Sequence, residues 1–460
     1  MRALHVITGL GVGGAEQQLR LLLRELPVEC EVAALTNPGA VADGLRADGV
    51  RVLPLRMGGN RDLGVLPRLV RLIRDGRYDL VHTHLYRACV YGRIAARLAG
   101  VRAVVATEHS LGAAEIEGRP LTRPTRELYL ATERLGAATV AVSETVAGRL
   151  RAWGVPGERI HVVPNGIDAA RFRFDPAARA AVRARLGIGP DAFVVGGVGR
   201  LVPGKRFDLL LHAVAAVPGA YLVLAGDGPE RYALHALACR LGLMDRVRFL
   251  GECDAPGGGV PGPGPGRGAP DTGPGPGVPA VAAAAPGVSA AGPGAPAAVS
   301  APGVPAAGSG SGAPAAAPGS RVPPAAAGPA GIPRPPGRRP GVPDVLSALD
   351  VFVSASREEA FGLAVVEALA AGLPVLHTVC PAVDDLPPAM APGCRRVGGS
   401  AGELAAALRR RRDSGEGRPA VPAAVRHYDI ASGAARLTRL YERVLADPHH
   451  PIPPIERART

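Results

Sequence analysis

The sequence predicts an α/β protein with two parallel sheets, each a Rossmann-like half carrying helices on both faces. Strand-length apolar runs alternate with helix-length amphipathic runs along most of the 460 residues, the pattern that parallel sheets with crossover helices require. The alternation restarts beyond residue 190, so one half follows the other. A glycine-rich turn follows the first strand of each half, where a doubly wound sheet places its ligand crevice. With 47% hydrophobic residues, the chain can fill two sizeable cores.

In the first half LHVITGL, CEVAALT, VRVLPL, YDLVHTH, RAVVATEH and ATVAVS read as strands, separated by helical runs such as GAEQQLRLLLRELP and LYRACVYGRIAARLAG. In the second, AFVVGGVG, AYLVLAGDG, VRFLG, DVFVSAS and LPVLHTVC repeat the pattern, and residues 428–445 read as a final helix. Residues 254–343 are almost wholly Gly, Pro, Ala, Ser and Val. Such a stretch buries too few large side chains to offset its ordering entropy, so it reads as a disordered insertion in the second domain. The segments before and after it would make an ordinary connection if joined, and closing so long a loop adds only about 2–3 kcal/mol. The expected organisation is a domain over 1–170, a second over 171–425 interrupted by the insertion, and a terminal helix and tail over 426–460.

A formal net charge of +13 favours anionic partners such as nucleotide sugars, lipid phosphates and anionic membrane surfaces. Aromatic residues make up 3% of the chain, which argues against stacking on single-stranded nucleic acid, and no nucleic-acid partner is expected. MRALHVITGL lacks the features of a signal peptide and no ordered stretch is long enough to span a bilayer. Cys30, Cys89, Cys239, Cys253, Cys380 and Cys394 are scattered, as in a reduced, cytoplasmic protein. Arg68, Arg71 and Arg74 recur along LPRLVRLIRDGR, a pattern that suits either peripheral docking on the anionic inner face of a membrane or a solvated arginine face.

The most informative segment is SREEAFGLAVVEALAAGLP, residues 356–374. Polar capping types precede an apolar-periodic run, so a helix is expected to start near Phe361 or Gly362, with Gly362 in its first turn. Unpaired amides there, at Phe361, Gly362 and Leu363, would meet a diphosphate, and a glycine admits the phosphate closely. Glu367 could then reach a ribose diol, and Glu359, on the preceding loop, the hydroxyls of a transferred sugar. The spacing alone equally allows two solvated acids on a surface helix. The strand–loop–helix VVGGVGRLVPGKRFDLLLHAVAAV contains Arg200 and Lys205. Lys205 is the lone lysine among 53 Lys and Arg residues, which suggests a site wanting a compact ammonium rather than a planar fork, as a phosphate does.

Taken together, VGRLVPGKRFDLLLHA, LAGDGPER, VRFLG, DVFVSASREEAFGLAVVEALAAGLPV, VVPNGIDAARF and LGVGGAEQQL resemble the family-4 glycosyltransferases of the GT-B fold, over nearly the whole chain except the insertion. The resemblance implies two Rossmann-like domains whose sheets face each other across a cleft, with the last helix crossing back to the first domain. It implies transfer of a hexose from a nucleotide-diphosphate sugar, with retention of configuration and without a metal or cofactor, to a saccharide or lipid-linked acceptor. Such enzymes usually serve cell-surface polysaccharide or glycolipid assembly. By resemblance, His109 stands beside the transferred sugar, Glu359 orients that sugar, Glu367 holds the ribose, and Gly13, Gly14 and Glu16 lie by the donor phosphates and the acceptor entry. Arg200 and Lys205 would stabilise charge on the departing diphosphate.

The chain departs from the family after LPVLHTV, where CPAVDDLPPAMAPGCRRVGG replaces a glycine-rich, acid-containing turn; Asp384 and Asp385 are either substitutes or a solvated turn. His82 and His84 alternate onto one face of a strand, but no third ligand with metal-site spacing is evident. Gly9, Gly11 and Gly14 match G-x-G-x-x-G, so the alternative enzyme is an NAD-dependent oxidoreductase. It lacks the ribose-binding acid, since Leu35, Thr36, Asn37 and Pro38 stand at the end of the second strand. A non-enzymatic basic scaffold is the third reading.

Overall fold

A computed structural model describes residues 1–59, 62–117, 119–253 and 340–447. Its first strand, Arg2–Ile7 (β1), is buried at every position after Arg2, as a strand covered on both faces must be. It pairs in parallel with Glu29–Ala34 (β2) and Leu80–His84 (β4). Arg51–Pro54 (β3), Val104–Glu108 (β5), Ala138–Ala141 (β6) and Ile160–Val162 (β7) complete a parallel sheet of order β3-β2-β1-β4-β5-β6-β7. A short antiparallel pair, Glu115–Ile116 with Arg119–Pro120, lies outside it.

Val194–Val198 (β8), Tyr221–Ala225 (β9), Val247–Gly251 (β10), Val351–Ser354 (β11), Val375–His377 (β12) and Cys394–Arg396 (β13) form the second parallel sheet, in the order β10-β9-β8-β11-β12-β13. Both sheets change winding direction beside their first strand, between β1 and β4 and between β8 and β11. Loops at those carboxyl ends are where doubly wound sheets hold ligands. The segments after β1, β5, β8 and β11 carry the sequence-predicted site residues.

Five helices carry the functional argument: Gly14–Glu25 (α1), Glu144–Trp153 (α2), Phe207–Ala215 (α3), Leu363–Ala370 (α4) and Ile430–Ala446 (α5). Helix α5 lays Leu437, Leu440, Tyr441 and Val444 into the core of the first sheet, among Leu19, Leu23 and Val105. Burying several such side chains contributes about 1.5–3 kcal/mol each, enough to hold this helix against the first sheet.

Two boundaries differ from expectation. Of the insertion expected at 254–343, residues 254–339 lie outside the described residues, whereas Val342 already begins a helix to Ala348 capped by Asp344 Oδ2 on the Gly341 amide at 2.9 Å. Four residues at the distal end thus belong to the fold because an acid three positions after Gly341 closes a capping turn. Helix α4 begins at Leu363, with Gly362 as its N-cap rather than in its first turn. Gly362 has φ of +108°, a conformation that L side chains avoid, so its backbone ends the loop before the helix can start.

Candidate functional site

Across the gap between the sheets, the sequence-predicted elements converge. Gly14, at the start of α1, approaches the start of α4 so closely that a Cβ added there would lie 3.5 Å from Leu363 Cδ1. On the second-sheet side, the Lys205 ammonium bonds Glu359 Oε1. Ser356 Oγ donates to the same carboxylate oxygen at 2.7 Å. The loops beneath them are joined by the Arg357 amide donating to the Gly204 carbonyl at 2.8 Å. The two residues read from separate motifs therefore form one ion pair, with side-chain exposures of 31% for Lys205 and 13% for Glu359. An ammonium has three donors, so Lys205 can keep Glu359 and still donate to a ligand oxygen.

Glu367, in the second turn of α4, faces Arg171 from the VVPNGIDAARF segment. Desolvation pushes its carboxyl up to about 7, and the Arg171 charge pulls the other way. Arg171, itself shifted down by burial and by nearby Arg24, was not singled out by sequence reasoning. Its signal was the basic residue next to the end of VVPNGIDAARF, with no spacing to link it to Glu367. Glu16 lies where the Gly13 backbone turns toward it. Burial raises its carboxyl, while its own backbone amide and Arg200 from the opposite sheet's loop lower it. Arg200 itself is exposed. Phe361 contributes nothing through its side chain, which is 3% exposed and packs edge-on against Tyr428 at 4.9 Å.

Several residues that sequence reasoning passed over tie the two sheets together beside this site. Ser143 caps α2 through the Val146 amide at 3.0 Å and donates its hydroxyl to the Ala360 carbonyl at 2.7 Å. Arg149, on α2, donates to the Leu111 carbonyl at 2.7 Å and to the Glu359 carbonyl at 3.1 Å, and pairs with Glu358 at 3.5 Å. Glu358 also accepts from the Ala113 amide. Asp385 accepts from the Thr145 amide at 2.9 Å and from its hydroxyl at 2.6 Å. Asp384 holds His377 Nε2 at 3.0 Å and the Cys380 amide at 2.8 Å. Both acids are engaged by partners within the protein, Asp384 while remaining exposed at the surface.

On the first sheet, His109 stands after β5 and joins a pocket lined by Gln18, His84, Thr107, Asn165 and Ile430 among others. That pocket lies toward α5 and includes none of Lys205, Glu359 or Glu367. His109 Nε2 meets His84 Nδ1 at 3.1 Å, and His84 Nε2 meets His5 Nδ1 at 3.0 Å. His82 is engaged on both nitrogens, by the Tyr441 hydroxyl and by Thr107 Oγ1 at 2.7 Å. Burial lowers all four imidazoles, His109 to about 4 and His5 to about 3. The third imidazole that the sequence did not reveal beside His82 and His84 is His5, brought in by the β1–β4 register that pairs it with His82.

Two facing Rossmann-type sheets with cation, carboxylates and helix-start amides gathered at their switch points define a two-domain nucleotide-binding protein. The Glycosyltransferase Family 4 profile matches residues 12–171, and profiles for Glycosyl transferases group 1 match residues 178–256 and 332–411. Bacillus subtilis EpsF, whose name places it among glycosyltransferases, is 30% identical over 265 residues, covering 54% of this chain and 68% of that protein. The D-inositol 3-phosphate glycosyltransferase of Streptomyces bingchenggensis is 38% identical over 202 residues, 39% of this chain and 43% of the relative. The alignments with the first curated relatives span about half of those proteins, 43%, 56% and 62% of their length. In fold, Anabaena HepE, solved in complex with UDP-glucose, superposes with a TM-score of 0.67 at 20% identity over 97% of this chain and 99% of that one. Sucrose-phosphate synthase from Thermosynechococcus elongatus gives 0.64 at 18% identity over 97% and 100%. The chain belongs to the family-4 glycosyltransferases of the GT-B fold.

Proposed function

We propose that the protein transfers a hexose from a nucleotide-diphosphate sugar to an acceptor hydroxyl, with retention of anomeric configuration and without a metal or cofactor. The observation that carries this reading is the Lys205–Glu359 pair, braced by Ser356, opposite the Gly13–Gly14 turn and one helix start away from Glu367. Breaking the anomeric C–O bond leaves negative charge on the nucleoside diphosphate. Lys205, Arg200 and the amides at the start of α4 would meet that charge in a partly desolvated cleft, where fixed donors act most strongly. Gly13, Gly14 and Glu16 would border the diphosphate from the other sheet.

Glu359, held by Ser356 and Lys205, would accept from sugar hydroxyls and orient the ring. Glu367 would accept from the ribose diol. Retention follows in this reading from attack on the face that the diphosphate leaves, with the departing phosphate oxygen taking the acceptor proton, so no protein nucleophile is needed. His109 would stand beside the transferred sugar. The UDP-glucose complex of Anabaena HepE supports a uridine diphosphate sugar as the first donor to try. The acceptor is a saccharide or a lipid-linked sugar, in cell-surface polysaccharide or glycolipid assembly.

Among the described residues no helix is long and apolar enough to cross a membrane. Peripheral docking would use the exposed face of the Val65–Gly76 helix, although Arg68 donates to the Leu55 carbonyl at 2.8 Å and Arg74 to the Leu98 carbonyl at 2.6 Å. Titration calorimetry with UDP-, GDP- and ADP-sugars tests the central reading. One nucleotide series should bind to wild type and lose affinity in Glu367→Ala; no binding by any of the three would refute it.

A further inference from the structure

Glu358 and Glu359 are neighbours in the chain whose side chains serve opposite halves of the site. The Glu359 carboxylate turns to Lys205 and Ser356 on the second-sheet side. Glu358 turns to the loop that follows β5, where its Oε1 accepts from the Ala113 amide and stands 3.5 Å from Arg149 Nη2. The next two carbonyls are held from the same side, Glu359 O by Arg149 Nη1 at 3.1 Å and Ala360 O by Ser143 Oγ at 2.7 Å. Three consecutive residues that follow β11 of the second sheet are thus seated on the first-sheet half.

The seat fits a carboxylate and little else. A Cβ added at Gly112 would lie 2.6 Å from Glu358 Cδ and 2.9 Å from the Glu115 carbonyl oxygen, so a side chain there would displace Glu358 or part the loop. The loop is itself fixed around that point. The Gly112 amide donates to the Glu115 carbonyl and the Leu121 amide to the Ala114 carbonyl, both at 2.8 Å, and Leu111 bridges to Ile116 with both side chains buried. Arg149 Nη1 also holds the Leu111 carbonyl at 2.7 Å, so one guanidinium grips the loop and the Glu359 backbone together. Burial lowers the Arg149 pKa against the opposing pull of Glu358 and Asp385. With side-chain exposures of 25% for Glu358 and 17% for Arg149, the bond to Ala113 is charge-assisted and partly shielded from water.

We propose that Glu358 is a positioning residue for the transferred sugar. By pinning the Ala113 amide it fixes the Glu359 backbone against the loop after β5, and so sets where the Glu359 carboxylate meets the sugar hydroxyls. Lys205 and Ser356 fix the far end of that side chain, and Glu358 and Arg149 fix its base. A carboxylate anchored at both ends holds a ring hydroxyl at one place, and small misplacements of such groups are costly to transfer. The sugar's part in this rests on the glycosyltransferase reading; the pin does not. In that reading the nucleotide is gripped elsewhere, by Glu367 and the amides at the start of α4, so losing the pin loosens the hold on the hexose and spares the hold on the nucleotide.

Two measurements on the full chain test it. Hydrogen–deuterium exchange at the Ala113 amide, without ligand, should quicken about tenfold in Glu358→Ala, the effect of one lost charge-assisted hydrogen bond, and stay near wild type in Glu358→Gln, whose side-chain oxygen still accepts from that amide. Calorimetry then compares UDP with UDP-glucose, or the GDP or ADP pair if that is the series wild type binds. The ratio of the two affinities should shift about tenfold against the sugar-bearing form in Glu358→Ala, with the bare nucleotide bound as before and the ratio restored in Glu358→Gln. If the Ala protein does not fold, Glu358→Asp, one methylene short of the amide, gives both readings. Unchanged exchange at Ala113 would overturn the pin. An equal loss of affinity for UDP and UDP-glucose would mark a merely structural residue and overturn the positioning role. A wild type that binds no nucleotide would sink the transferase reading and the sugar's part with it, while the exchange result would still decide the pin.

Discussion

Lys205 and Glu359 decide most at the level of single residues, because each holds the other in place while both remain partly open to a ligand. Lys205→Ala should lower turnover by about 10²- to 10³-fold, the scale of removing one donor aimed at developing charge. Its melting temperature should stay close to wild type, since a partly exposed pair contributes little to stability. Full activity in that variant would remove Lys205 from the mechanism. Glu367 makes a pH prediction. Its folded carboxyl lies at about 7, above the 4.5 of an unperturbed glutamate. A raised acid favours folding below its unfolded value, and that contribution is lost as pH rises through the folded value, here between 4.5 and about 7. In the proposed role the ionised form is the stronger acceptor for ribose hydroxyls, so nucleotide affinity should rise through about pH 7. Calorimetry at several pH values checks this, and Glu367→Gln should bind weakly with a flat profile.

At the scale of elements, α4 shows how a loop becomes a site. Gly362 takes a left-handed conformation, and a Cβ there would run into Cys380 Sγ. Gly362→Ala should therefore destabilise the protein by at least about 2 kcal/mol, from the left-handed penalty and overpacking together, and urea unfolding measures it. A change below about 0.5 kcal/mol would mean the turn tolerates a side chain. The helix was legible in its apolar period and in the polar residues before it. Its first residue was not, since a left-handed cap depends on what packs against it, and Cys380 comes from a different strand's loop.

At the scale of the whole molecule, the polar ties between the sheets set how the two halves of the site meet. Thr145 and Asp385 make two hydrogen bonds across the gap, one from an amide and one from a hydroxyl. Thr145→Val, Asp385→Asn and the double variant form a cycle in kcat/KM for which a coupling of about 1–2 kcal/mol is expected. Additive effects would show that this contact does not govern the approach of the sheets. Replacing residues 254–339 by a short Gly/Ser linker should leave transfer activity and melting temperature nearly unchanged, because loop length enters closure entropy only logarithmically. A collapse of either would assign that segment a structural role.

The strand and helix alternation, the glycine turns, the paired glutamates and the lone lysine were all legible in the chain, because each is a local pattern set by backbone period or by residue chemistry. These suffice for the fold class and for naming most residues of the candidate site. The partners of those residues came only with the tertiary structure. Arg171 beside Glu367, Arg149 on the Glu359 carbonyl, and His5, 79 residues from His84, are neighbours through sheet register and sheet-to-sheet approach. Contacts of that kind leave no periodic trace in the sequence, since two side chains far apart in the chain meet only after both sheets have formed and closed on each other.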